Sequence, residues 1–304
     1  MENAVLILIF NRPDVAKRTF AEIAKAKPPR LYIACDGARE NKNGEIELVN
    51  ETRKIVDLVD WQCEVKTLFQ EKNLGCGLAV SSAITWFFKH EEQGIILEDD
   101  CLPNQSFFGF CEELLEKYKN EERVATISGF NYQKTKRCEA SYYFSDIFEC
   151  VGWASWRNVW QNYFKLDVNE LDENLILSII ENKPWSKDMK NYWTNAWHAM
   201  KEHKVSSWAW PFALCCMQHS LCSAISNVNL ISNIGFGPEG THTTEELDPS
   251  ANTPTFEIQF PLSHPEKIET DFKADKYMHK IITRRRLINR IKRKLRKWLN
   301  LGVN

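Results

Sequence analysis

The sequence predicts an α/β fold in which a mostly parallel central sheet is flanked by helices. Short apolar runs alternate with segments of helical periodicity over the first hundred residues, a pattern typical of β-α-β units. The runs are continuously apolar, as expected for strands that are buried on both faces. With 304 residues, the chain is long enough for one large domain or two small ones.

The predicted elements follow one another in a regular order. Strands are predicted at 4–10, 31–35, 63–69 and 95–97, separated by helices at 15–27, 45–59 and 78–90. Later segments predict a helix at 106–118, a strand at 124–128, a helix ending at Trp160, mostly helical chain over 165–204 and a strand within 224–234. We expect a first domain over 1–264 and an extension over 265–304.

Composition narrows the class of protein. Apolar residues make up 43% of the chain and charged residues 26%, which is ordinary for a globular protein. The ten cysteines contain no C-x-x-C pair, so zinc-finger spacing is excluded. No stretch approaches the roughly 20 apolar residues of a transmembrane helix, and the N-terminus lacks the pattern of a signal peptide. We therefore expect a cytoplasmic protein with reduced thiols.

Three adjacent acids, Glu98, Asp99 and Asp100, follow the predicted strand at 95–97 directly. Adjacent carboxylates repel one another at neutral pH, so a fold that holds them together needs a counter-charge. Oxygen ligands of this kind suit Mg²⁺ or Mn²⁺, which often carry the phosphates of a nucleotide. A solvated acidic turn is the alternative.

Two further polar pairs end predicted strands. Asn11 and Arg12 follow the first strand, and Asp36 and Gly37 follow the second. In parallel sheets, ligands bind beyond the carboxyl ends of the strands. We expect the two pairs and the acidic triplet to meet at one edge of the sheet, although each pair also has the composition of a plain turn or helix cap.

With these three groups of polar residues, the sequence resembles nucleotide-sugar glycosyltransferases with the GT-A (Rossmann-like) fold. In those enzymes a D-x-D-type motif ends a buried strand, and the corresponding residues here are 98–100. Phe107 and Phe108, the Gly152-Trp153 pair and the loop 237–242 resemble further features of bacterial nucleotide-diphospho-sugar transferases and of the N-acetylglucosaminyltransferase I family. The resemblance covers about residues 4–245.

The resemblance implies a role for each candidate residue. Asp100 would bind Mn²⁺ or Mg²⁺, with His242 as a second, later candidate at the metal and diphosphate. The residues expected to contact the nucleotide sugar are Asn11, Arg12, Asp36, Gly37, Asn73, Gly75, Glu98 and Asp99. A phosphate contact through the Arg12 guanidinium would be bidentate.

The catalytic base is the part of the family pattern that is missing. Inverting members use a carboxylate to deprotonate the acceptor hydroxyl, and the corresponding position here reads Trp208-Ala209-Trp210, without an acid. The nearest carboxylates are Asp188 and Glu202. Whether the enzyme inverts or retains configuration therefore stays open at the level of sequence.

The C-terminal segment differs in charge from the rest of the chain. Eleven Lys and Arg and no acid follow Asp275, whereas residues 1–275 carry 28 basic and 41 acidic side chains. The apolar residues from Leu287 to Leu299 recur with helical spacing, which predicts a basic amphipathic helix over about 283–299. Such a helix favours an anionic membrane surface; docking on the chain's own acidic face is the alternative. Nucleic acid is not expected, because the acidic body would repel it.

These observations predict a hexosyltransferase type of glycosyltransferase at the inner face of a membrane. It would use a divalent metal and a nucleotide-diphosphate sugar, with a UDP-sugar as the first expectation. The acceptor would be a glycan or a lipid-linked sugar of surface polysaccharide synthesis. Two alternatives are a sugar-phosphate nucleotidyltransferase and a non-catalytic protein that binds nucleotide sugars. The former usually opens with a glycine-rich phosphate loop, which the segment 11–14 is not.

Overall fold

The computed structural model describes residues 1–236 and 250–283. Its strands are β1 (Ala4–Ile9), β2 (Arg30–Cys35), β3 (Glu64–Phe69), β4 (Gln93–Glu98), β5 (Cys101–Pro103), β6 (Val124–Ser128), β7 (Tyr142–Ser145), β8 (Trp153–Trp156), β9 (Cys222–Ser226) and β10 (Ile231–Asn233). Its helices are α1 (Pro13–Ala26), α2 (Glu45–Arg53), α3 (Gly75–His90), α4 (Gln105–Tyr118), α5 (Arg157–Tyr163), α6 (Glu173–Asn182), α7 (Lys187–Lys201), α8 (Ala209–Gln218) and α9 (272–283).

Eight strands form one sheet in the order β3-β2-β1-β4-β8-β6-β9-β7. Strands β3, β2, β1 and β4 are parallel, and β6 and β9 run in the same direction. Strands β8 and β7 are antiparallel to their neighbours. The predicted α/β class with a mostly parallel central sheet flanked by helices is confirmed, while the predicted C-terminal amphipathic helix lies almost entirely outside the described residues.

The buried side chains explain the order of the sheet. Every residue of β1 is buried, as are residues 94–97 of β4, so these strands fit only the interior of the sheet. Helix α1 begins at Pro13, whose fixed φ suits the first helical position. It buries Ala16, Phe20 and Ile23 along one face. The large apolar core of the sheet is thus built from local patterns that the sequence displays openly.

A second, smaller apolar cluster lies among α6, α7 and α8 and includes Ile176, Trp193, Trp197 and Leu214. Helix α9 packs on the body as well, since Ala274 contacts Tyr143 and Ile225. The predicted boundary at residue 264 stays a prediction. None of the described helices is both long enough and apolar enough to span a membrane.

One stretch differs from its predicted structure. The segment before Trp160 was expected to be helical, but Trp153–Trp156 forms β8, between β4 and β6. Trp153 and Trp156 are buried there and therefore belong to the core. Aromatic residues suit strands as well as helices, so the pattern of this short segment was ambiguous.

Candidate functional site

The three predicted polar clusters lie at one edge of the sheet. Strands β2, β1 and β4 are parallel neighbours, and the clusters at residues 11–12, 36–37 and 98–100 follow their carboxyl ends. The chain proceeds from β1 through β2 to β3 on one side, whereas β4 lies on the other side of β1. The position between the carboxyl ends of β1 and β4 is therefore a topological switch point, where α/β proteins bind ligands.

Arg12 bridges the ends of these two strands. Its Nη2 donates to Asp99 Oδ1 and to Asp100 Oδ2, the latter at 3.0 Å, and its Nε donates to Asp99 Oδ2 at 3.3 Å. The three side chains are 15%, 5% and 12% exposed. Part of the counter-charge that the acids need is thus a side chain of the protein. A contact between Arg12 and a phosphate stays a prediction.

The local backbone explains why Arg12 reaches the acids. Only residues 10–12 connect β1 to α1, and Arg12 occupies the N-cap position without a capping hydrogen bond from its side chain. From the next turns of α1, Thr19 Oγ1 donates to the Asp99 carbonyl at 2.7 Å. Helix α1 therefore holds the acidic turn in place from one side.

Glu98 is the least neutralised acid of the triplet. Its carboxylate accepts no hydrogen bond from residues 1–236 or 250–283. Burial, with the charges of Asp100 and Asp99, raises the Glu98 pKa to about 8. Burial also raises the pKa of Asp99 to about 6, against the opposing effect of Arg12. Desolvation would lower the Arg12 pKa, but the two aspartates outweigh it and raise that pKa.

The oxygen atoms of the triplet fit a hard divalent cation. Among residues 1–236 and 250–283, the Glu98 carboxylate has no hydrogen-bond partner, and Asp100 Oδ1 receives only a 3.7 Å contact from the Cys101 thiol. Within the described chain, however, no group of three or more His, Cys, Asp or Glu side chains is arranged to hold a metal. A cation here would need further ligands, and Mg²⁺ often takes them from substrate phosphates while one or two carboxylates bind it.

The segment after β10 packs directly against Asp100. Ile234 N donates to the Asp100 carbonyl at 2.9 Å, and a Cβ atom at Gly235 would lie 1.9 Å from Asp100 Oδ2. Only glycine fits so close to that carboxylate. The remainder of this loop, including His242, lies outside the described residues, so the role of His242 stays a prediction.

Asn11 belongs to a second charged cluster of the same edge. Its Nδ2 donates to Glu45 Oε1 at 2.9 Å, and Glu45 also accepts from the backbone N and the guanidinium of Arg39. Hydrogen bonding from Arg39 lowers the pKa of Glu45 to about 2. The sequence offered no signal for Glu45, since a glutamate in a first helical turn is normally exposed.

Asp36 anchors the loop that follows β3. Its carboxylate accepts from the backbone N of Gly37 and Leu74, each at 2.8 Å, and from Gly75 N and Asn73 Nδ2, each at 3.0 Å. Both of its oxygens are therefore engaged inside the protein. The structure brings the predicted residues together as one unit, and their direct contacts to a nucleotide stay predictions.

Close packing and backbone conformation explain the glycines near Asp36. A Cβ atom at Gly37 would lie 2.4 Å from the Lys72 carbonyl carbon, and Gly75 has a φ of +78°. Gly77 N, in the first turn of α3, donates to Ser206 Oγ at 3.0 Å. The loop between α7 and α8 therefore reaches the same edge of the sheet.

Glu149 is a buried acid that sequence reasoning missed. It is 7% exposed and lies in the connection between β7 and β8. The neighbouring Cys150 has a pKa raised by burial and by the charges of Glu149, Glu98 and Asp100. No local pattern marks this position, because it follows a buried strand and a loop without a motif.

The two candidate bases lie at opposite ends of α7. Asp188 is in the first turn and Glu202 follows the last residue, roughly 21 Å away at 1.5 Å per residue. Both are exposed, and Glu202 pairs with Lys204 at 2.5 Å. Only Glu202 lies at the end of α7 that leads to Ser206. The two residues therefore cannot serve one site together.

Of the comparisons with known proteins, only the one with solved structures found matches. No protein-family model and no curated protein matches the chain. A mannosyltransferase from Pyrobaculum calidifontis, solved with GDP-Man and Mn²⁺, is 12% identical, with a TM-score of 0.40 over 72% of this chain and 69% of that one. Mouse xyloside xylosyltransferase 1 is 12% identical, with a TM-score of 0.35 over 73% and 84%.

A UDP-glucose pyrophosphorylase solved with UDP-glucose is 9% identical, with a TM-score of 0.35 over 74% of this chain and 90% of that one. The similar structures thus include both glycosyltransferases and nucleotidyltransferases. At such identities and TM-scores they identify neither a family nor an activity. The resemblance to the N-acetylglucosaminyltransferase I family stays a prediction.

Proposed function

We propose that this protein is a metal-dependent glycosyltransferase that moves a sugar from a nucleotide-diphosphate donor to a glycan or lipid-linked acceptor. The observation that carries the proposal is the Arg12–Asp99–Asp100 cluster at the switch point between β1 and β4. The Arg12 guanidinium and the two carboxylates at this position suit a ligand that carries both phosphates and a metal. Synthesis of a surface polysaccharide at the inner face of a membrane is the corresponding biological role.

Each element of the edge has a task in this proposal. Asp100, together with Glu98, would hold the Mg²⁺ or Mn²⁺, which supplies Lewis-acid stabilisation of the leaving nucleoside diphosphate. Arg12 orients Asp99 and Asp100, and its planar guanidinium also suits a phosphate oxygen pair. Asp36 holds the loop 73–75 in a fixed conformation, so the backbone beside the nucleotide needs no rearrangement when the donor binds.

One feature of the β1–α1 connection supports proposing transfer of a sugar instead of transfer of a nucleotide. Residues 10–12 are the whole connection between β1 and α1, which leaves no glycine-rich loop for a triphosphate at that point. Among the acids considered as base, Glu149 is buried, whereas Asp188 and Glu202 are exposed. Glu149 is accordingly the first residue to replace in a search for the base.

Product analysis tests the proposed activity. Incubation of the purified chain with UDP-, GDP- and dTDP-sugars and Mn²⁺ should release a nucleoside diphosphate, most of all from a UDP-sugar. Asp100→Asn should lower the rate about 100-fold or more, the usual scale for losing a group that stabilises the transition state. Glu51→Gln, which alters an exposed carboxylate on α2, is the control and should keep the rate.

The outcomes separate the alternatives. Release of pyrophosphate from a sugar phosphate and a nucleoside triphosphate would mean nucleotidyl transfer. A Mn²⁺-dependent rise in melting temperature with a nucleotide sugar, without turnover on any acceptor, would mean a binding protein. Full activity of Asp100→Asn would contradict the assignment of the metal.

A further inference from the structure

A cavity of about 490 Å³ is lined by residues that have no role in the candidate donor site. It is formed by the chain after β6, the connection from β9 to β10, residues 253–256 and α9. Its volume falls within the range of small-molecule sites. None of the triplet residues lines it, so it is a separate space.

The cavity nevertheless belongs to the same edge of the sheet. Strands β6 and β9 run parallel to β4, so the chain that follows them emerges on the side where Glu98, Asp99 and Asp100 lie. In the strand order, β6 is two positions from β4 and β9 is three. At about 4.8 Å per strand, these separations are roughly 10 and 14 Å.

Strand β10 connects the two places directly. Asn229 lines the cavity, and Ile234 donates its backbone N–H to the Asp100 carbonyl. Five residues of extended chain span roughly 17 Å. A ligand seated in the cavity therefore reaches the triplet along β10 only if it is longer than a single hexose.

Buried amides give the cavity a fixed wall. Asn229 Oδ1 accepts from Asn131 N at 3.0 Å, while Asn229 Nδ2 donates to the carbonyls of Ile231 and Pro254. Asn227 Nδ2 donates to two carbonyls of the loop 138–140. These amides have their donors occupied within the protein, so the cavity is formed before any ligand arrives.

The remaining lining residues supply aromatic surface and positive charge. Four aromatic side chains line the cavity: Phe130, Tyr132, Phe256 and Tyr277. Lys134 and Lys136 are its only charged lining residues, and neither forms an ion pair within the described part of the chain. Phe256 is 54% exposed, so its ring is accessible from solvent. Aromatic surface suits the apolar faces of sugar rings, and two lysines suit an anion.

We propose that this cavity binds the distal part of an anionic sugar acceptor, at least one ring away from the hydroxyl that reacts at the triplet. The inference rests on the proposed glycosyltransferase activity and adds the class of acceptor: a saccharide that carries a phosphate, diphosphate or carboxylate at its far end. The accessible aromatic residues, Tyr132, Phe256 and Tyr277, hold the sugar ring, and Lys134 and Lys136 pair with the anionic group.

The position of α9 agrees with this assignment. Tyr277 and Ile281 of α9 line the cavity, and the basic segment begins at residue 284, next in sequence to the last described residue of α9. An acceptor that is linked through a diphosphate to a lipid carries its anionic group next to the membrane. The part of the chain expected at an anionic surface and the proposed anion pocket are therefore adjacent in sequence.

Calorimetric titration of matched probes tests the pocket. The probes are glucose, galactose and mannose, their 1-phosphates, and glucuronate, each with and without saturating UDP and Mn²⁺. The variant Lys134→Ala/Lys136→Ala is compared with Lys25→Ala/Lys54→Ala, which removes the same charge from exposed lysines in α1 and directly after α2. Circular dichroism confirms that both variants fold.

At least one sugar 1-phosphate should bind the UDP-loaded wild type about fivefold tighter than its neutral sugar, as expected for two exposed ion pairs. The cavity variant should lose this preference and the control should keep it. A preference for glucuronate alone would assign a carboxylate instead of a phosphate. The pocket is refuted if no anionic probe is preferred, or if the cavity variant keeps the preference. Absence of UDP binding, with the lysine-dependent preference intact, would instead refute the proposed activity.

Discussion

Arg12 connects the ends of β1 and β4, which are 89 residues apart in sequence, and we expect the stability of the site to depend on that contact. Its guanidinium faces two carboxylates that are almost completely buried. Removing one partner of a buried ion pair leaves an uncompensated charge, which costs more than the pair itself contributes. Arg12 is for this reason a structural residue in the absence of donor, whatever its contact with phosphate.

Arg12→Ala should lower the free energy of unfolding by about 3 kcal/mol, because Asp99 and Asp100 then lack their counter-ion. Urea denaturation at pH 7.5 measures this change. Arg18→Ala, an exposed position on the same helix, is the matched control and should change stability by less than about 0.5 kcal/mol. Adding Asp99→Asn to Arg12→Ala should restore part of the loss. Equal stabilities of Arg12→Ala and wild type would show that the ion pair contributes nothing to stability.

At the scale of elements, α9 is held to the body by a buried polar cluster. Asp275 accepts hydrogen bonds from Ser145 Oγ at 2.5 Å and Asp146 N at 3.1 Å. His279 is 3% exposed and lies edge-on to Trp185, with ring centroids 4.9 Å apart. Its Nε2 has no hydrogen-bond partner in the described chain. Protonation of this histidine would place a charge in a nearly dry site.

Burial, assisted by Lys183 and opposed by Asp146, lowers the pKa of His279 to about 4 from an ordinary value of 6.5. The unfolded chain therefore binds a proton at a higher pH than the folded protein does. The free energy of unfolding consequently falls as the pH is lowered from about 6.5 towards 4. Asp275, whose pKa burial raises to about 7, contributes the opposite slope over much of this range, so a comparison of variants is needed.

His279→Phe keeps an aromatic ring against Trp185 and removes the titrating group. When the pH falls from 7.5 to 5, we expect the free energy of unfolding of wild type to fall by about 1–2 kcal/mol more than that of this variant. Denaturant unfolding at the two pH values measures the difference. His198→Phe, at an exposed position on α7, should show no such gain. A pH dependence identical in His279→Phe and wild type would mean that His279 is solvated.

At the scale of the whole molecule, charge is divided very unevenly between the body and the C-terminal segment. Residues 1–275 carry a net charge of −13, and the last 29 residues carry +11. The segment's nine Lys and Arg between residues 284 and 299 alternate with apolar residues at helical spacing. Each basic residue near an anionic leaflet contributes roughly 1 kcal/mol, so we expect this segment to bind an anionic surface.

Sedimentation with vesicles tests the segment. The full chain should bind vesicles that contain anionic lipid, bind neutral ones weakly, and lose most binding in 0.5 M salt, where screening is strong. Deletion of residues 284–304 should abolish the binding. Serine at positions 287, 291 and 295 keeps the charge and removes apolar surface, so it separates insertion from electrostatic attraction. Unchanged binding after the deletion would refute the membrane role.

The fold was predictable where sequence patterns are strong and local. Strand β1 and helix α1 were both expected within a few residues of their observed bounds, because a continuous apolar run and a 3.6-residue period are unambiguous. Strand β7 and the β8 segment at 153–156 were missed, because four-residue elements carry too little pattern. Helix α8 was missed for the opposite reason: it is apolar on every side, so it lacks the contrast that marks an amphipathic helix.

The sequence by itself determined that polar residues 11–12, 36–37 and 98–100 end buried parallel strands, and therefore that they share one edge of a sheet. Only the tertiary structure decided what each of them contacts. Arg12 meets Asp99 and Asp100, Asn11 meets Glu45, and Asp36 holds its own loop, because these contacts depend on how strands distant in sequence are ordered. The cavity beyond β6 and β9 likewise could not be predicted from the sequence, because four separate segments form its wall and none of them carries a motif.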